Sequence, residues 1–476
     1  MELIHVDVGT EPLERFASVL EAEPYARVAA EAEAFVERMA GRSVWNVSST
    51  AVGGGVAEML QPLVGYARGA GVDARWTVIK GNPEFFRITK RLHNAIHGFA
   101  GDGSPLGEAE HRVYEDVMRT NAAELLGVLG TRDVVILHDP QTAGLLPYLD
   151  GRCGVLIWRC HIGCDGGGTE AQRGWAFLER YLDPAQAFIF SRRAFVPPFC
   201  EGERTVIIQP SIDPFSAKNE ELDPASVRAI LVHVGLIEGS PDPHRAVFRR
   251  RDGSPGRVDR RADVLQHGAT LAWERPLVVQ VSRWDWLKDP IGVMRGFERL
   301  LEDPGAPEAS LVLAGPDVRA VADDPEGAAV LDEVEAAWRE LPEAVRRRVH
   351  LASLPTADVE ENAVIVNALQ RHAAVVVQKS LHEGFGLTVT EAMWKERPVV
   401  ASAVGGIQDQ IVDGESGLLL ADPGDCEGFA QALRRLLSDP ALAEQLGKNA
   451  RQRARRNFLG LRSLADYARL ITSLDT

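Results

Sequence analysis

Positive charge is the first thing this sequence is short of. Fifty-two Lys and Arg stand against 68 Asp and Glu, a formal net charge of -16, which argues against a nucleic-acid or membrane-surface binder, whose footprint is a basic face. The expected partners are small molecules, with no nucleic acid and no membrane. Long apolar runs are missing too: none approaches the ~20 residues of a membrane span. The N-terminal MELIHVDVGTEPLERF carries acids where a signal peptide has basic and apolar regions, so a cytoplasmic protein is expected. Cysteine is sparse, and five residues at irregular spacing suit a reducing compartment better than a disulfide framework. Internal repeats and low-complexity tracts are absent. No GxGxxG follows the first strand with an acid roughly 20 residues on, which removes the main support for a dinucleotide-dependent oxidoreductase. Lysine is rare in its own right, with only seven among the 52 basic residues.

What is present is a length of 476 residues, enough for two or three domains with substantial cores. The first half alternates short β-rich runs with helical stretches, the pattern of a parallel sheet covered on both faces. Strands are expected at Ser43–Ser48, Ala74–Ile79, Asp133–His138, Gly154–Trp158, Ala187–Phe190 and Thr205–Ile208. The first runs into Gly53-Gly54-Gly55, whose backbone N–H groups can face a phosphate or simply form a tight turn. The segment 85–98 reads as a basic, partly amphipathic helix. Two strands end in His138-Asp139 and in Cys160-His161, at the edge where open parallel sheets bind ligands. Cys160, His161, Cys164 and Asp165 are poor metal ligands as a set, because the Cys-x3-Cys spacing has no second pair elsewhere. Asp165-Gly166-Gly167-Gly168 then reads as a flexible loop.

Gln209-Pro210-Ser211-Ile212-Asp213-Pro214 marks a domain crossing. Beyond it, 220–236 reads as helix, and 248–254 with 256–264 as a hairpin on an Asp-Gly turn. A second alternating unit begins at Arg275, with strands at Pro276–Ser282, Ser310–Ala314, Val349–Ala352, Ala373–Val377, Pro398–Ala401 and Gly417–Leu420. Arg283 and Lys288 follow its first strand, where two cations can grip a diphosphate or merely pair with Asp285 and Asp289. The densest chemistry lies in VVVQKSLHEGFGLTVTEA. Gly384 and Gly386 permit close approach of a ligand, the helix from Leu387 opens with unpartnered N–H groups, and Glu383 and Glu391 are placed to address different parts of one extended ligand.

These features together resemble the retaining, nucleotide-sugar-dependent glycosyltransferases of family 4. NVSSTAVGGGVAEML, FFRITKRLHNAIHG, LHDPQTAGL, WRCHI, QPSIDP and VSRWDWLKDP resemble its trehalose glycosyltransferring synthases. The resemblance implies an α/β fold of two doubly wound Rossmann-like domains facing each other across a deep cleft (GT-B). It places an acceptor-side domain at 1–212, a nucleotide-sugar-binding domain at 213–456 and a C-terminal helix, 457–476, returning to the first domain. It implies a reversible transfer from a nucleoside diphosphate glucose (UDP- or ADP-glucose) to free glucose, giving α,α-trehalose. A trehalose phosphorylase, or a transferase with another acceptor, is the alternative. By the same resemblance Arg283 and Lys288 bind the diphosphate and Glu391 the ribose. Glu383 takes donor-glucose hydroxyls, while Gly384, Phe385, Gly386 and Leu387 contact sugar and phosphate. Gly54 and Gly55 approach the phosphates, His161 lies beside the donor glucose and Asp139 orients the acceptor. No tightly bound cofactor and no protein-held metal is implied, with Mg2+ a stimulant, and a homodimer is expected. After WRCHI the family pattern has an aspartate, whereas here Gly163 and Cys164 precede Asp165.

Overall fold

The computed structural model describes residues 3–52, 54–318 and 325–475. It separates into two units, Met1–Ser211 with Phe458–Thr476, and Ile212–Asn457, each built on its own seven-stranded sheet.

The first sheet uses β1 (Ile4–His5), β2 (Ser43–Ser48), β3 (Asp73–Val78), β4 (Val134–His138), β5 (Val155–Cys160), β6 (Ala187–Phe190) and β7 (Thr205–Ile207). Its apolar strands are nearly unbroken because both faces are covered. Successive side chains of β4 alternate: Val135 and Leu137 join a core with Trp45 and Trp158, while Val134 and Ile136 join another with Val44 and Ile157. Each such side chain contributes roughly 1.5–3 kcal/mol by leaving water. Helix Gly460–Leu474 lies against helices Ala22–Arg38 and Gly54–Gly69 of the same unit, sending Tyr467, Leu470 and Ile471 into the second of these cores.

In the second unit a small hairpin of β8 (Val247–Arg249) and β9 (Pro255–Arg257) precedes the sheet. The sheet itself takes β10 (Asp263–Leu265), β11 (Leu277–Val281), β12 (Ser310–Pro316), β13 (Val349–Leu354), β14 (Val375–Gln378), β15 (Val399–Ser402) and β16 (Leu418–Leu420). Three expectations are corrected. The sheets are not wholly parallel, since β1 and β10 run antiparallel along one edge of each. The expected hairpin strand 256–264 is broken in two, because the Glu361 carboxylate accepts from the Asp259 and Arg260 amides at 2.7 Å and turns the chain. The helix expected over 220–236 starts only at Pro224, after Asp223 caps the Ala225 and Ser226 amides, and stops at Gly235 with φ 90°.

Strand order decides where ligands fit. The first sheet reads β1-β3-β2-β4-β5-β6-β7, and its chain reverses direction between β2 and β4. The second reads β10-β13-β12-β11-β14-β15-β16, with the reversal between β11 and β14. At such a reversal adjacent loops leave on opposite faces, opening a crevice beyond the carboxyl ends of the strands.

Candidate active site

In the second unit the loops that follow both strands at the reversal carry charged residues. After β11 a short turn, Trp286–Lys288, carries Lys288, whose carbonyl accepts from the buried Gln280 amide at 2.7 Å. Lys288 Nζ lies 2.5 Å from Glu383 Oε2 on the loop after β14, both side chains being largely shielded. The Ser380 hydroxyl adds a 3.3 Å hydrogen bond to the same oxygen, and the Leu381 amide donates to Leu287 O at 2.8 Å, tying the two loops together. Asp289 sits at φ 48° and ψ 49°, caps the Gly292 amide at 3.0 Å and pairs with buried Lys379. Arg283 is 71% exposed and reaches Asp285 at 3.3 Å. Of the alternative surface pairs, the Arg283–Asp285 one is present, whereas Lys288 turns to Glu383 and leaves Asp289 to Lys379.

The glycines act through the backbone. Gly386 has φ 84° and ψ 61° at the start of helix Leu387–Trp394, a left-handed turn that aims the first helical amides at the crevice. The Gly406 amide donates to Gly384 O at 2.8 Å, and a Cβ on Gly405 would meet Glu383 O at 1.7 Å. The loop after β15 therefore backs the loop that carries Glu383 to Gly386. Glu391, in the second turn of that helix, is almost buried, with Lys218 Nζ 3.6 Å from Oε1. In the second unit the candidate site gathers Lys288, Glu383, Gly384, Phe385, Gly386, Leu387 and Glu391, with the exposed Arg283 nearby.

The first unit carries the other predicted residues, at its own reversal. Gly54 opens helix Gly54–Gly69 with φ 78°, and it and Gly55 are exposed, with no atom within 4 Å of a Cβ placed on Gly54. Gly53 lies outside the described residues. Asp139, beyond β4, holds φ 64°, a conformation that a non-glycine residue keeps only when neighbours enforce it. Trp158 Nε1 donates to its carbonyl at 3.1 Å, and its carboxylate accepts the His161 amide at 2.7 Å. Desolvation pushes this carboxyl up to about 7, even though the His161 amide and Arg159 favour its charged form.

His161 is tied into a directional chain. Arg159 Nε lies 3.3 Å from His161 Nδ1, and a guanidinium only donates, so Nδ1 accepts and the ring proton sits on Nε2. That proton faces His138 Nδ1 at 3.0 Å, which leaves His138 Nε2 to donate to Asn46 Oδ1 at 3.1 Å. Burial and the nearby Arg159 hold both imidazoles well below the usual histidine range, with each ring lying against the other. Both histidines are neutral, with tautomers set by one buried arginine. That arginine in turn donates to the Tyr467 hydroxyl and to Ile208 O at 3.2 Å. His161 is thus a hydrogen-bond donor at Nε2 rather than a base.

The imagined metal set disperses: Cys160 donates to Ile162 O, and Asp165 pairs with Arg192 at 2.5 Å. Among the described residues no group of three or more His, Cys, Asp or Glu forms that could hold a metal, and no helix is long and apolar enough to cross a membrane. The hairpin arginine Arg250 pairs with Asp358 at 2.6 Å and with Glu360. Sequence reasoning did not single out Lys218, Lys379 or the Arg159 to Asn46 chain; the scarcity of lysine was the signal for the first two.

Residues 46–197 match the trehalose synthase N-terminal domain family, and residues 268–453 the group 1 glycosyl transferases. A trehalose synthase of Pyrococcus horikoshii is 34% identical over 466 residues, covering 98% of this chain and 97% of that one. A trehalose phosphorylase of Pleurotus pulmonarius is 28% identical over 427 residues, which is 85% of this chain but 53% of that one. A UDP-forming α,α-trehalose-phosphate synthase from Burkholderia xenovorans, solved with glucose 6-phosphate, superposes with a TM-score of 0.66 at 18% identity. That match covers 91% of this chain and all of that one, and shares the two-Rossmann-domain fold.

Proposed function

This chain belongs to the trehalose synthase family of glycosyltransferases, and we propose that it forms α,α-trehalose reversibly, by retaining transfer from a nucleoside diphosphate glucose to free glucose. The observation that carries this reading is the Lys288–Glu383 pair at the β11/β14 reversal, beside the left-handed Gly386. A diphosphate takes the Lys288 ammonium, Arg283 and the first helical amides, and sugar hydroxyls take Glu383. Glu391, two helical turns beyond, suits ribose hydroxyls.

In the first unit, Gly54 and Gly55 serve the phosphates, Asp139 orients the acceptor glucose and His161 lies beside the donor glucose. A neutral His161 whose Nδ1 accepts from Arg159 and whose Nε2 faces His138 does not remove the acceptor proton. In this reading the departing phosphate oxygen takes it, a front-face displacement that keeps the α configuration without a protein nucleophile. The cations offset the charge developing on that phosphate, so Mg2+ acts at most as a stimulant.

The match to a trehalose phosphorylase favours one rival, in which inorganic phosphate replaces the nucleotide. Incubating the purified protein with trehalose plus UDP, ADP or phosphate separates the two. Nucleoside diphosphate glucose is expected, and release of glucose 1-phosphate without nucleotide would overturn the proposal.

A further inference from the structure

Lysine is the rare cation of this chain, yet four of its seven lysines are set around one crevice of the second unit. Lys288 meets Glu383, Lys379 meets Asp289, Lys218 meets Glu391, and Lys395 is buried one turn beyond Glu391. Where arginine is the default, a retained lysine marks a place that suits a compact ammonium rather than a flat fork.

Lys218 sits in a strap gripped on both sides by its backbone. Asn367 Nδ2 donates to Ala217 O at 3.0 Å and to Glu220 O at 2.9 Å. Arg371 donates to Asn219 O and Glu220 O at 3.1 and 2.8 Å, and Trp394 Nε1 to Asn219 O at 3.2 Å. Lys395 Nζ donates to Asn219 Oδ1 at 3.0 Å and to Gln370 Oε1 at 2.7 Å. Burial, only partly offset by Glu391, holds the Lys395 ammonium below the usual lysine range. With its neighbours fixed in this way, the Lys218 side chain, a quarter exposed, directs its ammonium to a Glu391 carboxylate whose side chain is 5% exposed. A carboxylate so far from water needs a countercharge to remain ionised.

We propose that Lys218 is a positioning residue for the donor nucleotide, holding the Glu391 carboxylate ionised and oriented toward the ribose hydroxyls. This rests on Glu391 being the ribose contact. The test is calorimetric titration of UDP and of ADP into the full-length protein, its Lys218→Ala, Lys218→Arg and Glu391→Gln variants, and the Lys218→Ala/Glu391→Gln double variant.

Lys218→Ala and Glu391→Gln should each weaken the better-bound nucleotide by about 10- to 100-fold. The double variant should be no worse than Glu391→Gln alone, within about threefold. Lys218→Arg should recover part of the loss, while the KM for glucose stays at the wild-type value and the melting midpoint, lowered in Lys218→Ala by the carboxylate left unpaired, recovers in the double variant. Unchanged nucleotide affinity in Lys218→Ala beside a weakened Glu391→Gln overturns the inference. So do effects that multiply in the double variant, and so does a Lys218→Ala loss that extends equally to glucose. Normal affinity in Glu391→Gln instead overturns the ribose reading, and the inference with it.

Discussion

Replacing Asp139 with asparagine separates what the candidate acceptor residue does for function from what it costs the fold. Asparagine tolerates the left-handed conformation that Asp139 holds at φ 64°, and its amide oxygen still accepts the His161 amide. The change therefore removes only the ionisable proton. Desolvation displaces the carboxyl from 3.8 to about 7, which would cost ~4 kcal/mol in the charged form for a fully buried group. Asp139 is half-buried, so screening reduces the cost to ~1–2 kcal/mol. Because the folded value is raised, the contribution is fully present below pH ~4, falls as pH rises and is gone by about pH 7. The amide of the variant has no such dependence. The melting midpoint of Asp139→Asn should match wild type near pH 4, pull ahead between pH ~4 and 7, and stay about 3–6 °C above it at pH 8. Trehalose formation should meanwhile fall about 100-fold, through loss of acceptor orientation. Thermal unfolding followed from pH 4 to 8.5, beside initial rates, checks both. A midpoint difference that does not move with pH, or a variant less stable than wild type at pH 8, would refute the electrostatic reasoning.

Three further changes probe the rest of the arrangement. Lys288→Ala or Arg283→Ala should each lower turnover by roughly two to three orders of magnitude, as for loss of one preorganised charge stabiliser; near-normal turnover in both removes them from the site. Gly405→Ala forces a Cβ against Glu383 O and strains a residue at φ 49°, so nucleotide affinity should drop at least about tenfold with little change in the first unit's unfolding. Unaltered affinity would show that the loop after β15 does not support Glu383. Arg159→Met takes away the cation that sets His161 Nδ1 as an acceptor and leaves Ile208 O without that donor. It should destabilise the protein by about 1–3 kcal/mol and let His161 titrate closer to the usual histidine range, which imidazole chemical shifts against pH would report.

The sheets were legible because parallel strands covered on both faces leave runs such as Val134–His138 and Val375–Gln378 that few other structures accommodate. The antiparallel edges were not. Ile4–His5 and Asp263–Leu265 are two and three residues long, are partly exposed and gain their partners only from β3 and β13, so no local periodicity announces them. Candidate residues that would act through the backbone, such as Gly386 and Gly54, betray themselves by type. Asp139 does not: nothing in His-Asp-Pro states that the aspartate will be left-handed and half-buried, since Trp158 and the His161 amide impose this from the next strand. The neutral state of His161 was hidden for the same reason, being set by burial and by Arg159 two residues away along the chain.

The second unit's charges carry one more consequence for how a donor would be taken up. Three carboxylates of the crevice already face a lysine: Glu383 with Lys288, Asp289 with Lys379, Glu391 with Lys218. A donor cannot be held by Lys288 and Glu383 while they are paired with each other at 2.5 Å. If Lys288 turns to a phosphate and Glu383 to a sugar hydroxyl, one charge-assisted pair is exchanged for two such contacts, and neither buried charge is left alone at any stage. That exchange needs both ends of the ligand. A nucleoside diphosphate offers the phosphate without the glucose, so it should displace Lys288 and leave Glu383 with only Ser380, costing part of the binding gain. Free glucose should fare worse, because it offers no anion for Lys288. Tight binding therefore calls for phosphate and sugar in one molecule, a requirement that a sugar phosphate and a nucleotide sugar both meet.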